Sequence, residues 1–173
     1  FYSTRDFNQN IGGWDVSNVT NMGGMFKQAF AFNQDISGWK VSNVTSMAAM
    51  FDSANAFNQD ISGWTVSSVT NMGSMFSNNS TFNNGDKTLS WGDNTRNVTD
   101  MYGMFSRTIA FNQDISGWNV SNVTRMNFMF EGAQAFNQDL RSWCVSQIAS
   151  MPEKFYNQAI WSLPKPVWGT CPK

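Results

Sequence analysis

A phrase of 25 residues recurs along the chain and restricts what the chain can fold into. Phe-Asn pairs occur six times, and their phenylalanines are separated by 25, 25, 25, 29 and 25 residues. These phenylalanines are Phe7, Phe32, Phe57, Phe82, Phe111 and Phe136. A period in the twenties predicts a solenoid, because one such coil cannot bury its apolar edge without a neighbouring coil.

The apolar residues within one repeat predict a short strand followed by a short helical segment. Trp14 and Val16 alternate with the polar Asp15, which is typical of a strand with one buried face. From Val19 onwards, apolar residues recur in steps of three and four, which indicates a short helical or 3-10 turn that Thr20 could cap. We therefore expect a leucine-rich-repeat-like solenoid of about six coils, with short parallel strands and short helical or 3-10 turns.

The phrase W-x-V-S-x-V-T-x-M-x-x-M-F resembles the BspA-type surface repeats, and the order of Ile11, Trp14 and Val16 resembles the core of leucine-rich repeats. It is also similar to a 25-residue repeat of unknown function found in mycoplasma lipoproteins and in other bacterial and algal surface proteins. The resemblance covers about residues 7–155, and the fourth copy departs from it. It implies an extracellular solenoid with no known catalytic residues.

Both ends of the repeat array are informative. Phe1 aligns with Phe26 of the next copy, so we expect residues 1–155 to belong to a longer array that starts before Phe1. Residues 156–173 lose the period and contain three prolines, which predicts a C-terminal cap. A disulfide between Cys144 and Cys171 would attach this cap to the last repeat in an oxidising compartment.

The composition argues against several classes of function. Lys and Arg total 11 and Asp and Glu total 12, which gives a net charge of −1. This charge argues against a protein that binds nucleic-acid phosphates. The absence of histidine removes Ser-His-Asp and Cys-His nucleophiles and most zinc sites, and no phosphate-binding glycine loop is present. We expect no enzyme activity, no cofactor and no metal. No apolar run approaches the roughly 20 residues of a membrane helix, so this segment should not insert into a membrane.

One position changes from copy to copy while its surroundings repeat. It lies between the Trp and the Val of each copy and is predicted to face outward. Its residues are Asp15, Lys40, Thr65, Asn119 and Cys144. Variation at a fixed exposed position is how repeat proteins present a recognition surface, although unconstrained surface varies too.

The fourth copy contains four additional residues and an unusual number of charges. Insertions in repeats often lie on the binding face, and a harmless bulge is the alternative. The candidate contact residues here are Asp86, Lys87, Asp93 and Arg96.

Three further rows have both a structural and a functional interpretation. The six tryptophans at matching places are expected in the core, because they share the parity of the inward valines, rather than on a sugar-binding platform. The row of Asp35, Asp60, Asp114 and Asp139 indicates side-chain-bonded turns rather than a calcium site. Sequons predict N-linked glycans if the protein follows a eukaryotic secretory route, or are incidental to the repeat. The sequon asparagines are Asn18, Asn43, Asn78, Asn79, Asn97 and Asn122.

Together these patterns predict a secreted or cell-surface module that binds a protein or glycan on another cell or matrix without catalysis. The alternative is a structural subunit that associates end to end into a filament or surface coat. A third hypothesis is ice binding by a regular threonine row. Its members are Thr20, Thr45, Thr70, Thr99 and Thr124.

Overall fold

Successive repeats stack on one another through backbone hydrogen bonds. The computed structural model describes residues 1–157 and 161–172, so residues 158–160 and 173 of the predicted cap lie outside the described residues. The Met22 N–H donates to the carbonyl of Ser46 at 2.9 Å, and the Thr45 N–H donates to the carbonyl of Thr20 at 2.8 Å. The same bonds recur at later repeats, so each repeat satisfies backbone groups of its neighbour.

The prediction of a leucine-rich-repeat-like solenoid built on strands and helical turns is wrong. In the described residues the named elements are two 3-10 helices, Asn84–Asp86 and Gly92–Thr95. Parallel pairing is reduced to isolated single-residue bridges rather than a sheet. These bridges are Asn21–Ser46, Ser46–Asn71, Asn71–Asp100, Asp100–Arg125 and Phe130–Tyr156. The chain instead forms a compact, loop-rich fold.

Tight turns replace the predicted strands and helices. In most of these turns the N–H of an apolar residue donates to the carbonyl of an apolar residue three positions earlier. In the second repeat these pairs are Ile36–Trp39, Val41–Val44, Met47–Met50, Phe51–Ala54 and Ala54–Phe57. Both end residues of such a turn can face the interior while the two central residues face solvent. The three-residue apolar spacing is therefore produced by turns, which the helical pattern resembles.

The predicted helix cap at the threonine is also absent. The Thr45 hydroxyl donates to the carbonyl of Thr20 at 3.0 Å, and the Thr70 hydroxyl donates to the carbonyl of Thr45 at 3.2 Å. These threonines therefore connect neighbouring repeats instead of capping a helix.

Three aromatic rows, two of phenylalanine and one of tryptophan, lie in the core. Phe26 and Phe32 stack within a repeat at a centroid distance of 3.9 Å, and Phe26 stacks on Phe51 of the next repeat at 5.6 Å. Five of the six repeat tryptophans are at most 4% exposed, which confirms the core prediction for them. Trp14 is 49% exposed. Each buried tryptophan donates its indole N–H to a carbonyl of the preceding repeat, as Trp64 does to Ile36 at 3.1 Å.

Two backbone positions in each of these repeats adopt the left-handed conformation. The first is occupied by Gly24 and Gly103 in two copies but by Ala49, Ser74 and Phe128 in others, with φ between 54° and 63°. The second is occupied by Gln28, Ser53, Asn78, Arg107 and Gly132. Non-glycine residues with positive φ are uncommon, and bulky ones most of all. The tight path of the repeat therefore imposes this conformation whatever residue is present.

The irregular fourth repeat accommodates its additional residues in the two 3-10 helices. Trp91 remains 1% exposed, so the insertions leave the core in register. Asn84 is buried, and its Oδ1 accepts the backbone N–H of Ile61 at 2.9 Å. The insertion is thus bonded to the preceding repeat through a buried side chain.

The last repeat is covered by the described part of the C-terminal segment. Leu140 donates its N–H to the carbonyl of Pro164, and Val145 donates to Thr170. A disulfide joins Cys144 to Cys171. Within the described residues, no helix combines the length and the apolar character required to cross a membrane.

Candidate binding face

The residues that follow the repeat tryptophans form one side of the stack, which we call the varied face. Its residues are Asp15, Lys40, Thr65, Gly92 and Asn119. The first three are exposed and Asn119 is half-buried, in agreement with the predicted outward position. Shallow depressions lie between these residues, and the two in the first three repeats share Gly38 and Lys40. A third lies between the fourth and fifth repeats beside Gly92.

Glycines line these depressions without any structural need for glycine. An added Cβ at Gly13, Gly38, Gly63 or Gly117 would meet no atom within 4 Å, and none of the four has a positive φ. Neither packing nor backbone conformation therefore requires glycine there. Its presence leaves the backbone of the varied face open to solvent.

The first two positions of the varied face carry charges of opposite sign. The Asp15 carboxylate accepts the backbone N–H of Ser17 at 3.0 Å. Hydrogen bonds from Ser17, with a smaller contribution from the charge of Lys40, lower the pKa of Asp15 below its ordinary value. Within the described residues Lys40 forms no ion pair, so its ammonium group is available to a ligand.

The fourth repeat contributes two of its four predicted contact residues to the varied face. Asn119 donates its side-chain N–H to Asp93 at 2.7 Å, and Arg96 pairs with the other Asp93 oxygen at 2.6 Å. The hydrogen bond from Asn119, followed by that from Arg96, lowers the pKa of Asp93. This cluster joins residues that the sequence places 26 positions apart.

The other two predicted residues of the insertion bond elsewhere. Lys87 pairs with Asp60 of the preceding repeat at 3.1 Å. Asp86 accepts the side-chain N–H of Asn83 at 2.7 Å. Their role in contact stays a prediction.

In the last repeat, the residue at the equivalent position forms a disulfide bond. Cys144 takes this register and is bonded to Cys171 of the C-terminal segment. The varied face thus ends where the C-terminal segment begins to cover the stack.

The aspartate row forms the side-chain-bonded turns that its pattern indicates. Each Oδ1 accepts the backbone N–H two residues later at 2.9 to 3.0 Å. The pairs are Asp35–Ser37, Asp60–Ser62, Asp114–Ser116 and Asp139–Arg141. These bonds lower the pKa of Asp35, and a hydrogen bond from the Ser62 side chain does the same for Asp60.

The sequon asparagines differ in accessibility. Asn79 is fully buried and donates its amide N–H to the carbonyl of Phe57, so a glycan does not fit there and that part of the prediction is wrong. Asn43, Asn97 and Asn122 are exposed, but each donates its amide N–H to a carbonyl of the preceding repeat.

The two remaining sequon asparagines are also exposed. Asn78 donates its amide N–H to Asp52 at 3.2 Å. Asn18 is exposed and its amide has no partner in the described part of the chain. Glycosylation at the five exposed asparagines stays a prediction.

Sequence reasoning missed an aromatic and cationic cluster on another side of the stack. Tyr102 and Phe128 lie 5.3 Å apart, with Arg125 over the Tyr102 ring and Lys154 over the Phe128 ring. The signal was available, because the M-x-x-M segments of earlier copies have small residues at these two places.

Comparison with known proteins identifies a family but no function. Neither a curated protein nor a solved structure matches the chain. One family model matches twice in tandem, over residues 1–91 and 86–168, which together include most of the chain. The chain therefore belongs to the family described as Mycoplasma protein of unknown function, DUF285.

Proposed function

We propose that this chain is a non-catalytic interaction module that binds an extended segment of a protein or glycan along the varied face. The observation that supports this proposal is the row of exposed, chemically different side chains on a frame that otherwise repeats. Depressions with open glycine backbone lie between these side chains. A ligand chain lying along the stack would contact one of these side chains in each of the first, second, third and fifth repeats.

The charge distribution supports a polar ligand. The varied face offers a carboxylate at Asp15, an ammonium group at Lys40 and a hydroxyl at Thr65. Hydrogen bonds to such groups fix the register of a ligand and discriminate between ligands more than they add affinity. A face of this kind favours selection among polar chains over strong apolar binding.

The proposed location is the cell surface or the extracellular space. The Cys144–Cys171 disulfide supports it, because disulfides persist mainly in oxidising compartments. The kinship with BspA-type surface repeats that the repeated phrase suggests supports it as well. Fractionation of the source cells with a surface-labelling reagent tests the location directly.

A charge reversal on the varied face tests the proposed contact. A glycan array and a cell-surface pull-down with the whole chain first identify a ligand. Lys40→Glu should then weaken binding at least tenfold, which corresponds to a loss of about 1.4 kcal/mol. Gln134→Glu together with Gln147→Glu makes the same change in net charge at two exposed residues outside the varied face and should leave binding unchanged.

A second variant tests the open glycine backbone. Gly38→Ala adds one methyl group where nothing lies within 4 Å, so the free energy of unfolding should not fall. Binding should weaken, because the methyl group enters the two depressions that share Gly38. Unchanged binding by both Lys40→Glu and Gly38→Ala would remove the varied face from the contact.

The threonine row supports ice binding as a second candidate. All five threonines are exposed, and four of their hydroxyls are held by donation to the preceding repeat. A regular row of fixed hydroxyl oxygens could order water. If it does, the whole chain should show thermal hysteresis, and Thr70→Tyr should abolish it, because a large ring interrupts the row. Hysteresis that survives this change would exclude the row.

A further inference from the structure

A second row of polar side chains runs beside the threonine row, and we call it the companion row. Its members come two residues before the threonines. They are Asn18, Asn43, Ser68, Asn97 and Asn122. All are exposed except Ser68, which is half-buried. A valine separates each member from its threonine, and it is 0% exposed at Val44, Val69, Val98 and Val123. The two rows therefore reach the surface on either side of a buried valine.

The side chains of the companion row are tied to the preceding repeat. Asn43 donates its amide N–H to the carbonyl of Ser17 at 2.8 Å. Ser68, Asn97 and Asn122 form the equivalent bonds at 2.6, 2.7 and 2.8 Å. The threonine hydroxyls are tied to the preceding repeat as well, so the side chains of both rows are fixed before any ligand is present. Binding to these rows therefore requires little further loss of side-chain freedom.

The spacing of the rows is the same on both sides of the irregular fourth repeat. The Thr45 N–H donates to the carbonyl of Thr20, and Thr70, Thr99 and Thr124 repeat this bond, all at 2.8 to 2.9 Å. Thr99 keeps the bond although 29 residues separate it from Thr70, where other repeats have 25. Backbones paired in this way lie about 4.7–4.9 Å apart. The two rows thus form a grid with one repeat distance.

The groups that remain free on this grid are neutral and can bond water. A threonine hydroxyl that donates its proton to the protein still has lone pairs that accept. An asparagine amide with one N–H in use still has its carbonyl oxygen and a second N–H. Within the described residues, these remaining amide groups have no protein partner at Asn43, Asn97 or Asn122. No member of either row is charged.

We propose that the threonine row and the companion row bind the surface of ice together, so that the site is two rows wide. This inference rests on the ice-binding candidate above and assigns a second set of contact residues to it. The varied face presents a different group in each repeat, which suits an irregular polymer. The grid presents the same or closely similar groups in each repeat, which suits a crystal lattice. Both rows are interrupted at the last repeat, where Gln147 and Ala149 occupy the two places.

Thermal hysteresis of the whole chain, measured by nanolitre osmometry, tests the second row. Asn43→Lys together with Asn97→Lys should remove more than half of the hysteresis at equal protein concentration, because two long charged side chains interrupt the companion row while every threonine is retained. Asn55→Lys together with Asn94→Lys is the matched control. It makes the same change in charge at exposed asparagines of the same two repeats outside both rows, and it should keep the wild-type hysteresis.

The possible results separate this inference from the candidate function on which it rests. Hysteresis that is lost in Thr70→Tyr but kept in the variant of Asn43 and Asn97 would overturn the second row alone. Equal loss in the control variant would attribute the effect to net charge and overturn it too. A wild-type chain without hysteresis overturns both. Thermal denaturation checks folding, and Asn122→Lys provides a single variant of the companion row if the double variant does not fold.

Discussion

At the scale of single residues, asparagine holds neighbouring repeats in register. The Oδ1 of Asn33 accepts the backbone N–H of Asn58 at 3.0 Å and the side-chain N–H of Gln59 at 2.9 Å. Equivalent bonds from the asparagine of each Phe-Asn pair recur in the other repeats. Their acceptors are Asn8, Asn33, Asn58, Asn83, Asn112 and Asn137. These bonds explain why asparagine follows the phenylalanine in each Phe-Asn pair.

Removal of one of these accepting oxygens should be costly. Asn33→Ala leaves the backbone N–H of Asn58 without its acceptor, while the side-chain amide of Gln59 keeps the backbone carbonyl of residue 33 as its second acceptor. We therefore expect the free energy of unfolding to fall by about 1–3 kcal/mol. Asn33→Asp retains the accepting oxygen, so it should lower the free energy of unfolding by less than Asn33→Ala does. Urea denaturation of both variants checks this, and equal losses would show that the amide nitrogen or the side-chain shape matters instead.

At the scale of the elements, the apolar spacing predicts which residues are buried but not how the backbone achieves it. Ile36, Trp39 and Val41 are all in the core, as their positions predict. The same three-residue steps suit a helix or a series of turns. Bonds between repeats decide in favour of turns, and a single repeat gives no information about them. This is why the predicted strand and helical turn are absent although their inward residues are correct.

The candidate site was likewise predictable only in part. The exposure of Lys40 follows from its place between two inward residues, and it was predictable. The contact between Asp93 and Asn119 was not, because the two inserted residues after Trp91 shift the fourth repeat out of the common register. Their 2.7 Å bond depends on the 3-10 helix that absorbs this insertion.

The left-handed position between the two methionines of a repeat should favour glycine. Ala49 has a φ of 54°, where an L residue meets a steric cost of roughly 1–2 kcal/mol that glycine avoids. After the greater backbone entropy of unfolded glycine is subtracted, Ala49→Gly should raise the free energy of unfolding by about 0.5–1 kcal/mol. The neighbour Ala48 has no positive φ, so Ala48→Gly should lower it. Chemical denaturation compares the two, and a loss in both would contradict strain at Ala49.

The disulfide should stabilise the covered end. It closes a loop across a sequence separation of 27 residues, which contributes about 3 kcal/mol in the chain-entropy model. Cys144→Ser together with Cys171→Ser should therefore lower the midpoint of thermal unfolding. Reductant added to the wild-type chain should reproduce that midpoint, and it should not affect the double variant.

At the scale of the whole molecule, the charges predict how stability depends on pH. Hydrogen bonds within turns, and at some sites ion pairs, lower the pKa of Asp15, Asp35, Asp60, Asp93 and Asp139 in the folded chain. A carboxyl with a lowered pKa in the folded state stabilises it above the unfolded pKa of about 3.9. That stability is lost as the pH falls through the lower folded value.

The midpoint of thermal unfolding should therefore be nearly constant from about pH 5 to 7 and fall below about pH 4. The chain contains no histidine, so no side chain with an ordinary pKa near 6.5 titrates within that range. Calorimetry at a series of pH values at constant ionic strength checks this. A step in the midpoint near pH 6.5 would contradict it.

The disulfide gives one part of the molecule mechanical resistance. It joins Cys144 to Cys171, so tension between the termini cannot extend the chain between these two residues and should unfold the repeats that precede Cys144. Because a released repeat of 25 residues extends about 3.4 Å per residue, each step should lengthen the chain by roughly 85 Å. A tethered chain of this kind would yield gradually and absorb work at each step, as an extensible spring does.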